Sequence, residues 1–122
     1  MRDEADYFRA VLDNLTGGFL SVDLEGRLVY ANGMAGRILR VPVFDKLVGE
    51  PYAKALEAFP DLCRVIADAL EHHRTVHRAE FSIQHADTPL TIGYSSLQVK
   101  SRAGEYLGVG IIFQDLTKKA AK

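Results

Sequence analysis

Apolar positions along this chain follow two periods, and the changes between them divide it into elements. Tyr7, Phe8, Val11, Leu12 and Leu15 share one face of a helix, because residues three and four apart lie on the same side. Asp3 or Asp6 stands where a side-chain cap for that helix belongs, and Gly17-Gly18 ends it. "FLSVD" and "RLVYA" then read as two short strands joined by Leu24-Glu25-Gly26, with Gly26 able to take a positive φ. At Asn32 the helical period returns. Asn32 offers a cap, and Met34, Ile38 and Leu39 follow on one side of a short helix.

Between Pro42 and Pro60 the pattern is irregular, since Gly49 and Pro51 interrupt any continuous helix and leave short helical turns. Pro60-Asp61 opens a firmer helix. Leu62, Val65, Ile66, Ala69, Leu70 and His73 trace its apolar stripe, while Arg64, Asp68, Glu71 and Arg74 fall on the face expected to meet water. "HRAEFSIQH" alternates, with Ala79, Phe81 and Ile83 on one side and charged or polar residues on the other, which predicts a strand with one solvated face. In "LTIGYSSLQVK" the alternation of Leu90, Ile92 and Tyr94 slips by one to Leu97 and Val99, so a bulge is expected at Ser95-Ser96. Arg102 to Glu105 turns the chain into a last strand, "YLGVGIIFQD".

The order is helix, two strands, several short helices, three strands. Strands grouped at both ends of a helical middle, without β-α-β alternation, imply an α+β fold. The two strand groups are expected to join as one antiparallel sheet of five strands. No internal repeat and no low-complexity linker interrupts it.

Composition narrows the partners. With 122 residues, 48% hydrophobic and 25% charged, the chain suits one domain that buries roughly two-thirds of the surface its unfolded form exposes. A single cysteine, Cys63, cannot bridge internally. The acidic, polar start does not read as a signal peptide, and no apolar run nears the ~20 residues of a membrane span, so a cytoplasmic location without membrane contact is expected. Fifteen basic and sixteen acidic residues are interspersed, which leaves no summed field to attract nucleic acid.

"GGFLSVDLEGRLVYAN", "LVGEPY" and "YLGVGIIFQDLT" together resemble a PAS domain, from about Tyr7 to Thr117. The recurrent marks of that family match Asp23 and Gly26 in the first hairpin, Asn32 at the next helix, and the closing Asp115-Leu116-Thr117. Leu24-Glu25 between Asp23 and Gly26 is a departure that leaves the assignment intact. The resemblance implies a PAS-like sheet over residues 17–117, an N-terminal amphipathic helix over 1–16, and the start of a linker or output helix over 118–122. It also implies a non-catalytic sensory module of a signalling protein such as a sensor histidine kinase, passing a conformational change to a downstream output domain. Asp115 and Thr117 would sit at that junction, where a carboxylate or hydroxyl can cap a following helix at ~0.5–2 kcal/mol.

In such a fold the inward positions are pocket candidates for a small-molecule ligand: Leu62, Ile66, Phe81, Ile83, Ile92, Tyr94, Ile111 and Phe113, with Tyr30, Tyr94 and Ser96 as polar groups. Large apolar residues of this kind are first of all core packing. A homodimer is expected through Tyr7, Phe8, Val11, Leu12 and Leu15, because a helix ahead of the first strand has few obligatory neighbours in its own domain, and the alternative is a homodimerisation module without a ligand.

No cofactor is expected. Haem, which some PAS domains hold through a histidine on the long helix, would fall to His72, His73 or His77, but histidines at a helix end more often face solvent. The flavin-binding light sensors of the family use a cysteine in an Asn-Cys-Arg setting, whereas here "DLCRVI" sets Cys63 in the apolar stripe. The four histidines and one cysteine form no closed zinc-ligand pattern. Gly104, Gly108 and Gly110 lie in and before a strand rather than in a strand-to-helix turn, and no nucleophile elbow or metalloprotease motif occurs, so catalysis by this segment is not expected.

Overall fold

A computed structural model describes Tyr7, Ala10 and residues 17–41, 44–85 and 88–116. The strands are β1 (Gly18–Asp23), β2 (Leu28–Ala31), β3 (Ala79–His85), β4 (Thr88–Lys100) and β5 (Tyr106–Asp115). Between β2 and β3 come helix α1 (Gly33–Leu39), a 3-10 turn (Phe44–Leu47), the single-turn α2 (Tyr52–Ala55) and the long α3 (Pro60–His72). The sheet runs β2-β1-β5-β4-β3, with each neighbouring pair antiparallel. The two strand groups therefore join as expected, β1 lying against β5 from Gly18 opposite Phe113 to Asp23 opposite Gly108.

Local chemistry explains the first hairpin. Asp23 Oδ1 accepts from the backbone N–H of Glu25 and of Arg27, both at 2.9 Å, and Gly26 turns with φ 82°. The carboxylate closes the turn on itself, so the extra Leu24-Glu25 is accommodated. Asn32 joins this unit to α1. Its Oδ1 accepts from Ala35 N at 2.9 Å and Phe19 N at 3.0 Å, and its Nδ2 donates to Gly17 O at 3.2 Å. One buried side chain thus caps the helix and fastens the start of β1. The irregular middle is tied to the same hairpin through Tyr52 N to Gly26 O at 2.8 Å and Leu28 N to Glu50 O at 2.9 Å.

One face of the sheet carries the core. Leu20, Val22, Ile92, Val109, Ile111 and Phe113 pack there against Leu39, Leu56, Leu62 and Ile66 from the helical layer, all of them nearly inaccessible to solvent. Fully burying a side chain of this size contributes about 1.5–3 kcal/mol.

The expected bulge at Ser95-Ser96 is not where β4 departs from regularity. Pairing with β5 runs unbroken through Ser95 opposite Ile112 and Ser96 opposite Ile111, and the register shifts between Val99 and Lys100 instead. Ser96, 2% exposed, continues the inward series of Leu90, Ile92 and Tyr94, and Leu97 faces out. A polar residue holds this inward slot because its hydroxyl accepts from Val76 N at 2.9 Å.

Tyr7 is helical and exposed, whereas Phe8, Val11, Leu12, Leu15 and Thr117 lie outside the described residues.

Candidate functional site

Helix α3 begins with Pro60 at its first turn, where a missing N–H costs nothing, and Leu62, Ile66 and Ala69 turn toward the core. The helical period then places Asp61, Arg64, Val65, Asp68 and Glu71 along the flank beside β3 and β4. Phe81 pairs with Ile92 and Ala79 with Tyr94, so Phe81 and Tyr94 stand diagonally on the inner face, ring centroids 5.4 Å apart and tilted by 47°. Helix flank and rings line an open cleft of about 560 Å³, to which Val76 from the α3–β3 connection also contributes. This volume lies in the ordinary range for small-molecule sites.

Ion pairs edge the cleft. Arg64 pairs with Asp61, Arg74 Nε lies 3.2 Å from Asp68 Oδ2, and His72 Nε2 lies 3.8 Å from Glu71 and 4.0 Å from Asp68. Being partly solvated, such pairs contribute little to stability, roughly 0–1 kcal/mol each. Their field still reaches the opposite wall: burial first, and then the negative charge of Asp68, raise the pKa of the Tyr94 phenol.

β4 also holds the segment that leaves α3. Ser96 N donates to Val76 O at 2.9 Å while the Ser96 hydroxyl takes Val76 N, and Ser95 Oγ accepts from Arg78 N at 3.1 Å. Gln98 Nε2 donates to Ala69 O and to Arg74 O, both at 3.3 Å. The last carbonyls of a helix lack partners within it, and here a strand supplies one. His73 and Arg78 bound this connection in the left-handed region, φ 51° and 55°.

The residues anticipated as a pocket separate into distinct roles. Leu62, Ile66, Ile92, Ile111 and Phe113 are closed core, and Phe81 and Tyr94 reach the cleft. Ser96 points inward, but its hydroxyl is occupied by the chain itself. Tyr30 is a correction: opposite Ser21 and beside Phe19, with ring centroids 6.2 Å apart, it lies on the outer face, because its neighbour Ala31 pairs with the inward Leu20. Ile83 pairs with Leu90 through its backbone, and its side chain lies outside the described residues. Asp115 ends β5, exposed and opposite Ile92.

The charged side of α3 faces water as read, with the Arg64, Glu71 and Arg74 side chains largely exposed, and its edge also borders the cleft. Gln98 carried no signal in the sequence. Among the histidines, His73 stacks on Tyr106 with centroids 3.9 Å apart. The Cys63 thiol donates to Leu56 O at 3.3 Å, and burial raises its pKa.

Comparison with known proteins adds four likenesses. Residues 12–121 match the family described as PAS fold. The signal transduction histidine-protein kinase AtoS of Escherichia coli is 25% identical over 109 residues, which cover 89% of this chain and 18% of that kinase; this chain thus spans under a fifth of that relative. Among solved structures, the PAS domain of BvgS from Bordetella pertussis superposes with a TM-score of 0.73 at 18% identity, over 98% of this chain and 90% of that one. A Vibrio cholerae VqmA–ligand–DNA complex also gives 0.73, at 16% identity over 98% of this chain and 54% of that one.

Proposed function

Since this chain belongs to the PAS fold family, we propose that it is the non-catalytic sensory module of a larger signal-transduction protein of the sensor histidine kinase type, with its stimulus a small molecule held between α3 and β3–β4. The observation that carries this reading is a register: Tyr94, which lines the cleft, stands directly opposite Phe113 on β5. Two residues further, β5 ends at Asp115, and Leu116 N donates to Thr91 O at 2.7 Å. A guest that displaces the Tyr94 ring changes the packing of Phe113, and the strand carries that change to its end. Interdigitated cores respond in discrete rearrangements rather than by smooth deformation, which favours transmission over damping. Asp115 and Thr117 then hand the change to an output domain.

Similarity to AtoS and to the ligand-bound VqmA supports the reading.

Native mass spectrometry of freshly purified protein tests the cleft. One small molecule per chain is expected, lost in Val76→Trp, which fills the cleft from its edge. Retention of the same adduct in that variant would place the ligand elsewhere. In the full-length protein, Asp115→Ala should weaken the output response to that ligand; an unchanged response removes the junction role.

A second reading concerns assembly. The 56% exposure of Tyr7, on a helix ahead of the sheet, favours pairing of two copies through Tyr7, Phe8, Val11, Leu12 and Leu15. Removing residues 1–16 should then halve the mass measured by light scattering, and an unchanged mass would contradict the pairing.

A further inference from the structure

The outer face of the sheet, turned away from the helical layer, departs from the pattern of a face that meets water, where polar side chains alternate with the inward apolar ones. Register sets Phe19 opposite Ile112, Ile112 opposite Ser95, and Gly110 between Ser21 and Leu97. Tyr30 stands opposite Ser21 and beside Phe19. The outward residues Tyr30, Phe19, Ile112 and Leu97 thus form one apolar band across four strands, in which the intervening positions are the small, uncharged Ser21, Ser95 and Gly110. Leu116 extends the band by lying over Gly93, and the space above Gly110 is taken by Phe19 and Leu97. Leu97, Ile112 and Leu116 still remain 36%, 40% and 41% exposed. A contiguous apolar surface without charge at its centre is the composition of an interface core rather than of open surface.

Its dimensions suit a helix. From β2 to β4 the band crosses three strand spacings, about 14 Å, and the helical stripe from Tyr7 to Leu15 is about 12 Å long. In the single chain neither surface is used up, because Tyr7, the first residue of the stripe, is 56% exposed and the band is open. Building on the reading that two copies pair through Tyr7, Phe8, Val11, Leu12 and Leu15, we propose that the surface this stripe covers is the outer sheet face of the second copy, centred on Ile112. A two-fold axis seats each stripe on the other copy's band, which uses both surfaces and leaves none for a third copy. The arrangement also brings Leu116, the residue that follows β5, into the interface, so that assembly and the end of the last strand are mechanically joined.

Paramagnetic NMR separates the occupants. A nitroxide is placed at Ala10→Cys, an exposed helical position off the stripe, in a Cys63→Ser background that keeps a donor for Leu56 O. Mixed with isotope-labelled chain that carries no nitroxide, it is expected to broaden the amides of Gly93, Leu97 and Ile112 and to spare those of Leu62 and Ile66 in the helical layer. Ile112→Lys and Leu97→Lys, both at exposed strand positions, should each raise the dimer dissociation constant at least about tenfold in light scattering, with the core amides unshifted. Broadening found only when nitroxide and isotope share one chain, diluted in plain chain, means that the helix covers its own sheet and overturns the second copy as occupant. A dimer that dissociates on removal of residues 1–16 yet shows no broadening on the outer face overturns the proposal and leaves pairing through the helices alone. A chain that is monomeric at every concentration overturns both.

Discussion

Leu116 lies across Gly93 on the outer face of the sheet, its Cδ1 only 2.5 Å from the point where a β-carbon on Gly93 would stand. The residue that follows β5 is therefore folded back against β4, an arrangement strengthened by its N–H bond to Thr91 O at 2.7 Å. Gly93→Ala should expel the Leu116 side chain at small cost, under about 1 kcal/mol, because the clash is with the free end of a half-exposed leucine and alanine suits a strand better than glycine. Methyl NMR should show Leu116 strongly shifted while the urea midpoint barely moves. An unshifted Leu116 methyl would mean that the side chain does not rest there in solution.

Asn32 is the buried polar residue that holds the first strand to the first helix. Asn32→Ala removes acceptors from the N–H groups of Ala35 and Phe19 and a donor from Gly17 O. Losing the cap together with stranding buried backbone groups should cost about 2–4 kcal/mol in urea unfolding. Asn32→Asp restores the acceptor but not the donor and buries a charge, so it should recover only part of the loss. A cost below about 1 kcal/mol for the alanine variant would show that water replaces these bonds.

Gln98→Leu keeps the size of the side chain and removes its bonds to Ala69 O and Arg74 O. The expected destabilisation is about 1–2 kcal/mol. Hydrogen exchange should quicken first at Val76 and Arg78, whose N–H groups are held by Ser96 and Ser95 in the same connection. Acceleration spread evenly over the sheet would instead point to global loss of stability.

Alkaline pH gives a test with a defined sign. Burial, then Asp68, raises the Tyr94 phenol above its usual 10.0, and burial, then Cys63 and Glu71, does the same to Tyr52. Above pH 10 the unfolded chain releases these protons before the folded one does, so their stabilisation is complete below pH 10 and is lost as pH rises through the folded values. Urea midpoints at pH 9 and pH 11 should therefore fall less in Tyr94→Phe than in the parent chain. Equal falls would show that Tyr94 ionises as freely folded as unfolded.

Periodicity and turn chemistry were sufficient for the architecture. Alternation placed β1 to β5, the Asp23–Gly26 turn and the Asn32 cap were visible locally, and the stripe of α3 identified Leu62 and Ile66 as core. Those features depend on one-sided burial and on bonds between near neighbours, both of which leave a local imprint. The same patterns brought Phe81 and Tyr94 forward as inward residues and left the charged flank of α3 in water, but they assigned Tyr30 to the wrong face.

What remained illegible was decided by partners distant along the chain. Ser96 meets Val76 across 20 positions, and Gln98 meets Arg74 across 24 and Ala69 across 29. A serine in an inward slot looks like a slip of register until the N–H that satisfies it is seen. The sequence by itself determined which surfaces are apolar and where the chain turns. Only the tertiary structure decided which polar groups meet, because hydrogen bonds and ion pairs act over a few ångströms in space, whereas periodicity records only whether a side chain faces the core.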